Sequence, residues 1–418
     1  MTLPVYGNPL TLTQIATEYS APNTNIALEN FYAGGTYVTA GTLGYPTGGS
    51  SVAIPSSGPI SIANFYGSTA FTAPNFVGNV SVGFTTTGSY ITDNAYGNGI
   101  FAYTQANTIW YTSNGGSSWS SATLTFTPGS LCYGNGYWLA TAVQTSSNIL
   151  SYSYSTNLTS WSTFTNMFYG YGYSTNNTYT GQCSCYVPSL GYMAVGVLIS
   201  SNKGAYSFLS STINGWTSSP QTISTTLYPI GLATNGTNIV LLLGNTNSYS
   251  PQGALYTSIY SGGSWSTPTA LPGYSGTTVG TAKITYGLGM YMVCYVQGSG
   301  AAYTTYTSTS TDGVTFSSAT SISTVASSVF YMTSFGYANG AFYAVASNPS
   351  SSATTYYIYS TNGTSWRTPL SMPTNSTTSY QDIGCSMVLG GPVSGTATTM
   401  VFNCKTNGYS LMEICHSP

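Results

Sequence analysis

Charge is what this chain has least of. Four Lys+Arg and six Asp+Glu make up 2% of its 418 residues, against about 25% in an ordinary soluble domain. Four cations cannot lay down the phosphate-neutralising footprint of a nucleic-acid binder, so no nucleic-acid partner is expected. Long apolar runs are missing too. The longest aliphatic stretch, Ile239-Val240-Leu241-Leu242-Leu243, falls far short of the roughly 20 residues that span a bilayer, and no membrane insertion is expected. The opening Met1-Thr2-Leu3-Pro4-Val5-Tyr6-Gly7 has neither the cationic nor the apolar part of a signal peptide. Helix signals are nearly absent, because Gly, Ser, Thr and Asn interrupt every segment. Seven cysteines are scattered at 132, 183, 185, 294, 385, 404 and 415. The number is odd, and Cys183-x-Cys185 lacks the spacing of a zinc knuckle or a redox pair. They read as reduced, buried small hydrophobes. No phosphate or dinucleotide loop stands before a helix, so no cofactor and no metal are expected.

What is abundant is tyrosine, 39 residues, and glycine, 48 residues. Apolar residues are aromatic or β-branched and come in short runs between turns, which suits strands. One phrase recurs: a Tyr-rich strand, a turn, then an aromatic. It reads Tyr111-Thr112-Ser113-Asn114-Gly115-Gly116-Ser117-Ser118-Trp119 and Tyr154-Ser155-Thr156-Asn157-Leu158-Thr159-Ser160-Trp161. Shorter and longer copies are Ser210-Ser211-Thr212-Ile213-Asn214-Gly215-Trp216 and the segment from Tyr256 to Trp265. The last two are Ser310-Thr311-Asp312-Gly313-Val314-Thr315-Phe316 and Tyr359-Ser360-Thr361-Asn362-Gly363-Thr364-Ser365-Trp366. The closing aromatics are spaced by 42, 55, 49, 51 and 50 residues, the period of a propeller blade. Upstream of the turn, several units carry a Gly-centred hairpin, as in Tyr133-Gly134-Asn135-Gly136-Tyr137 and Tyr337-Ala338-Asn339-Gly340-Ala341. Asn and Gly tolerate the positive φ that such turns need. Each unit is thus four strands, A to D from the axis outward.

The recurring phrase resembles the Asp-box (BNR) repeat, Ser-x-Asp-x-Gly-x-x-Trp. The resemblance implies a capped turn between strands C and D, with the aromatic packed between neighbouring sheets. Assigned to it are Asn114, Trp119, Asn157, Trp161, Asn214, Trp216, Trp265, Asp312, Phe316, Asn362 and Trp366. The expected fold is all-β: a seven-bladed β-propeller of four-stranded blades over residues 71–418. Three strand-like runs end the chain, and an orphan strand from Phe76 to Phe84 is expected to close the ring with them.

Residues 1–70 differ. The phrase Ile26-Ala27-Leu28-Glu29-Asn30-Phe31-Tyr32-Ala33 returns as Ile60-Ser61-Ile62-Ala63-Asn64-Phe65-Tyr66-Gly67, preceded by Ser57-Gly58-Pro59. This resembles a short N-terminal segment of tailed-bacteriophage virion proteins. The resemblance implies an anchoring or assembly segment, with Phe31, Tyr32, Phe65 and Tyr66 in it. It also implies a virion location, other virion proteins as partners, and many copies in a symmetric particle. A plainer reading is an N-terminal β extension packed on the propeller.

An Asp-box propeller suggests a sialidase, and that resemblance implies three Arg residues on a substrate carboxylate. This chain has one, Arg367, so the clamp cannot be built. Glycoside hydrolysis needs two carboxyls facing one sugar. Asp93 and Asp382 could face each other across the ring closure, but both read more simply as turn caps. His416 stands alone in the tail. The chain is therefore expected to bind and not to catalyse. The B–C and D–A connections share one propeller face. On it lie Tyr169, Tyr171, Tyr173 and Tyr179, with Lys203 and Lys405. Tyrosines between glycines offer rigid, hydroxyl-tipped rings at low entropic cost. The expected role is an adhesin for host surface glycan; the alternative is a non-adhesive decoration or assembly protein.

Overall fold

The computed structural model describes residues 10–19, 21, 27–32, 38, 43–44, 52–55, 57, 59–65, 77–83, 91–144, 149–167, 183–198, 204–216, 220–245, 254–274, 279–299, 302–322, 331–347, 355–367, 370–371, 387–393, 396–405 and 411–416. From residue 77 onward these form antiparallel sheets arranged as a β-propeller. The first sheet is Ile91–Gly97, Ile100–Gln105, Thr108–Thr112 and Ser120–Thr123. Five more follow, at 130–166, 183–224, 228–270, 279–321 and 331–371. The last sheet joins Met387–Val393, Thr396–Lys405 and Leu411–His416 to Val77–Gly83, the predicted closing strand. The innermost strands touch in chain order, and Met387–Val393 returns to Ile91–Gly97.

Two expectations need correction. Blades are not uniform: six sheets have four strands, but the sheet at 228–270 has five. Its strand Leu255–Ser261 turns at Gly262-Gly263, both at positive φ (60° and 92°), and pairs at once with Ser264–Trp265. With no Asn or Asp ahead of them to cap a longer turn, as Asn114 does ahead of Gly115-Gly116, these two glycines form a two-residue hairpin. The strand also pairs with Thr269–Ala270. The second correction concerns helix. Residues 10–65 carry an α-helix, Leu12–Glu18, and two 3-10 turns, Leu28–Phe31 and Ile62–Phe65. Thr11 and Gln14 form a reciprocal capping box at the helix start. The duplicated phrase supplies the two 3-10 turns. In each, an Asn side chain accepts from the backbone N–H three residues earlier: Asn30 from Ala27 and Asn64 from Ser61, both at 2.7 Å. The rings of Tyr19, Phe31 and Phe65 meet at 6.1–6.5 Å and are buried with Ile15, Val38 and Ile54.

The A–B hairpins carry the repeated contact between sheets. Their tips are Asn98-Gly99, Asn135-Gly136, Leu288-Gly289 and Asn339-Gly340, every residue at positive φ. Just before each tip an aromatic pair crosses the two strands: Tyr96/Phe101, Tyr133/Trp138, Tyr286/Tyr291 and Tyr337/Phe342, with Tyr186/Tyr192 in the sheet at 183–224. Centroids lie 4.8–5.2 Å apart, and the planes cross at 50–59°. Each such pair is worth about 1 kcal/mol beyond area burial. The first tyrosine then covers the preceding sheet. A Cβ on Gly97, Gly134 or Gly287 would stand 2.0–2.2 Å from the ring of Tyr133, Tyr186 or Tyr337. Glycine is required by that approach. Where the next sheet offers Ala233 in place of a tyrosine, the corresponding residue is Val187.

Gly134 is clamped twice, because the Tyr192 hydroxyl also donates to its carbonyl at 2.6 Å. Gly134→Ala should therefore lower stability by about 2 kcal/mol, the usual overpacking cost. Tyr192→Phe should cost about 1 kcal/mol. Denaturant midpoints of the two variants and the parent check both values.

Candidate functional site

The C–D turns and A–B tips lie on one face of the ring, and the B–C and D–A connections on the other. The first face is built from short, internally bonded turns. At Asp312, Oδ1 accepts from Val314 N–H (2.8 Å), Thr315 N–H (2.9 Å) and the Ser310 hydroxyl (2.7 Å), while Ser310 Oγ accepts from Gly313 N–H. Those hydrogen bonds, Thr315 foremost, hold the Asp312 carboxyl below its ordinary value. Asn362 repeats the arrangement with Thr364, Ser365 and Ser360. Asn157 does so with Thr159, Ser160 and Ser155. Asn114 does so across one extra residue, with Ser118 N–H and Thr112. A neutral amide oxygen thus serves as well as a carboxylate.

The residue after the cap points inward. Leu158 fills that space at a φ of 64°, and Ile213 fills it in the next sheet. Gly313 and Gly363 stand there where other side chains already occupy the space: Val240 and Ile259 of the preceding sheet with Tyr291 of its own in one case, Met290 and Met292 of the preceding sheet in the other.

Two of the six assigned turns differ from expectation. Counting from Ser210, the cap position belongs to Thr212 and not to Asn214. Asn214 is exposed and accepts only from the Thr212 hydroxyl, at 3.5 Å. The segment from Tyr256 to Trp265 contains no capped turn at all; it is the Gly262-Gly263 hairpin. Trp265 still reaches the preceding sheet, where its Nε1 donates to Ser207 Oγ at 2.8 Å. Trp161 and Trp216 instead bond their own turns, at Leu158 O and Ile213 O. Trp161, Trp216, Trp265, Phe316 and Trp366 each pack in the cluster shared with the preceding sheet. Trp119 meets Tyr103 at 5.3 Å.

Asp93 is not a turn cap. It lies within the innermost strand Ile91–Gly97, beside a register shift. Oδ2 accepts from Leu131 N–H of the next sheet at 2.7 Å, and Oδ1 from Asn94 N–H at 2.8 Å. Desolvation raises its carboxyl to about 6, against the pull of these bonds and of Lys283 on another inner strand. Near it, burial pushes the Cys132 thiol up to about 12 and also raises those of Cys183 and Cys185. These three and Cys294 are unpaired, and such thiols are poor nucleophiles. The Asp93 carboxylate has no second acid beside it among the described residues, and it is an inter-sheet acceptor where the sequence suggested a turn cap. The signal for it was its offset from Tyr96, which matches that of Ser130 from Tyr133 and Lys283 from Tyr286.

Among the predicted ligand residues, Tyr169, Tyr171, Tyr173, Tyr179 and Lys203 lie outside the described residues, as does Asp382. Lys405 ends the strand Thr396–Lys405, and its side chain is outside the described set. In the N-terminal segment, Phe31 and Phe65 are buried in that segment's own core, Tyr32 is half-buried, and Tyr66 lies outside. No helix among the described residues is long and apolar enough to cross a membrane.

No protein-family model and no curated protein matches the chain. Solved structures do. Hydrazine synthase of Kuenenia stuttgartiensis aligns at 8% identity and a TM-score of 0.51, over 77% of this chain and 95% of that one. A protein of unknown function from Dyadobacter fermentans DSM 18053 aligns at 10% and 0.49, over 82% and 98%. Trypanosoma rangeli sialidase in complex with the inhibitor DANA aligns at 9% and 0.40, over 82% and 58%. At these identities the likeness is one of fold.

The two carboxylates should act on stability with opposite signs. Asp93, raised in the folded state, contributes most below its ordinary 3.8 and loses that contribution as pH rises through about 6. The loss is at most about 3 kcal/mol, reduced by whatever solvent reaches the group. Asp312, lowered in the folded state, stabilises above the ordinary carboxylate range and loses that as pH falls through its folded value. Unfolding midpoints across pH 3–8 (a roughly chosen span around ordinary carboxylate values) check this. Asp93→Asn should flatten the decline toward neutrality, and Asp312→Asn the decline toward acid.

Proposed function

We propose that this chain is an adhesin of a bacteriophage virion, held to the particle through residues 1–70 and binding host-surface glycan through the B–C and D–A connections. One observation carries the reading. Val77–Gly83 serves as the outermost strand of the closing sheet and pairs antiparallel with Leu411–His416. In a four-stranded blade such a strand starts on the face of the C–D turns and ends on the face of the D–A connections. The chain therefore enters the ring opposite the face that carries the variable connections. An anchor on one side and a display surface on the other is the polarity an adhesin needs.

Other features support it. The A–B connections are two to four residues long, whereas those of the opposite face run from 106–107 to 167–182. The longest connection contains the Gly-spaced tyrosines. Their faces suit sugar C–H surfaces, and neighbouring Asn and Ser side chains suit hydroxyls. With Asp93 committed to Leu131 and Asn94, and Asp312 to its own turn, the reading is of binding without turnover.

The test is binding of the full chain to a panel of immobilised bacterial surface polysaccharides. Binding to at least one is expected. Tyr169→Ala, Tyr171→Ala and Tyr173→Ala should each weaken it several-fold with unchanged unfolding midpoints. No binding to any would remove adhesion and leave a decoration role. Unaltered binding in all three variants would move the site elsewhere on the face.

A further inference from the structure

Asn-Gly dipeptides are the sites at which a peptide chain deamidates most readily, because glycine leaves the attacking nitrogen unhindered. The described residues contain seven: Asn98, Asn114, Asn135, Asn214, Asn235, Asn339 and Asn362, each followed by glycine. We infer that the fold protects six of these seven and leaves Asn214 as the site of spontaneous deamidation among the described residues.

The reaction needs the backbone nitrogen of the following glycine, deprotonated by solvent base, to attack Asn Cγ. A C–N bond forms, the side-chain nitrogen leaves as ammonia, and a cyclic succinimide results. Water then opens either carbonyl to give aspartate or isoaspartate; nothing is oxidised or reduced.

Three sites are locked through their side chains. Asn362 Oδ1 accepts from Thr364 and Ser365, and Gly363 N–H is held by Ser360 Oγ at 2.9 Å. Asn235 Oδ1 accepts from Thr237 and Asn238, and Gly236 N–H is held by Thr234 Oγ1 at 3.0 Å. Asn114 is bonded through both side-chain atoms, Oδ1 to Ser118 N–H and Nδ2 to Ser118 Oγ. Three more, Asn98, Asn135 and Asn339, sit at A–B tips with φ of 45–50° and glycine φ of 75–91°. In that primed turn the following nitrogen lies on the far side of the Cα–C bond from the side chain. The cross-strand pairs flanking each tip keep it there.

Asn214 has none of this. It is exposed, and neither it nor Gly215 has a positive φ. Its side chain accepts one 3.5 Å bond, and Gly215 N–H makes one 3.3 Å bond to Thr212 O. It is free because Thr212 took the cap position. Isoaspartate here would lengthen the backbone inside the turn that bonds Trp216 Nε1 to Ile213 O at 3.1 Å. It would also add an acid to a chain that has six.

The full chain is incubated in mildly alkaline buffer at physiological temperature and mapped by peptide mass spectrometry with isoaspartate detection. Conversion at Asn214 should lead the other six several-fold, and Asn214→Gln should abolish the leading product. In concentrated urea the seven rates should converge. Ser360→Ala, which frees Gly363 N–H, should raise the rate at Asn362. Equal native rates at Asn114, Asn235 or Asn362, or a ranking that persists in urea, would overturn the inference.

Discussion

The propeller depends on a tyrosine ring laid on a glycine of the sheet before it. Tyr133 covers Gly97, Tyr186 covers Gly134, and Tyr337 covers Gly287. Sheets that meet face to face around an axis must come closest near that axis, and a Cβ at the glycine would hold them apart. Tyrosine supplies a large flat surface there, and its cross-strand partner fixes the ring at nearly the same angle in five sheets. The hydroxyl of that partner is sometimes used as well, as with Tyr192 to Gly134 and Tyr291 to the carbonyl of Asn238. The turns at the outer end complement this contact, because Trp161, Trp216, Trp265, Phe316 and Trp366 pack into the clusters shared with the preceding sheets.

Much of this was legible in the chain. Spacing of the closing aromatics announced the repeat, and Asn-Gly between aromatics announced the A–B tips. The orphan strand at 77–83 announced the closure. The failures have a common physical cause. Asn-Gly suits both a primed hairpin and a capped turn, so its presence does not say which one forms. Counting from the serine does. Ser155, Ser310 and Ser360 put Asn157, Asp312 and Asn362 two residues on, whereas Ser210 puts Thr212 there and strands Asn214 beyond it. The segment before Trp265 has two glycines where a cap would stand, and hairpin geometry wins.

The N-terminal segment was harder to read because its order is short-range. Its helix is two turns long, and no helical stripe can emerge from so few residues. What was visible was the duplication, and the duplication is what builds the core, since Phe31 and Phe65 come from the two copies and meet each other. The residues that mark the resemblance to virion anchoring segments are thus partly internal.

The variable connections were legible only as composition. Tyrosines between glycines announce a kind of surface without fixing a shape, because glycine admits too many backbone conformations for neighbouring rings to be placed. Charge scarcity has a structural counterpart. Where other proteins would use ion pairs, this one uses hydroxyls. Ser153, Ser258 and Ser308 each donate to the carbonyl of the serine that follows a closing aromatic, at 2.6–2.7 Å. Between inner strands, Ser130 pairs with Ser184 and Thr281 donates to Met332 O, while Thr92 donates to Pro128 O just ahead of the next inner strand. Neutral bonds of this kind are not screened by salt. Asp93 is the departure from the pattern, a carboxylate where the equivalent residue of the next sheet is Ser130. It receives an inter-sheet N–H as a hydroxyl could, but it carries a proton equilibrium that a hydroxyl lacks. Such a molecule is expected to respond weakly to ionic strength and to acidity through very few groups.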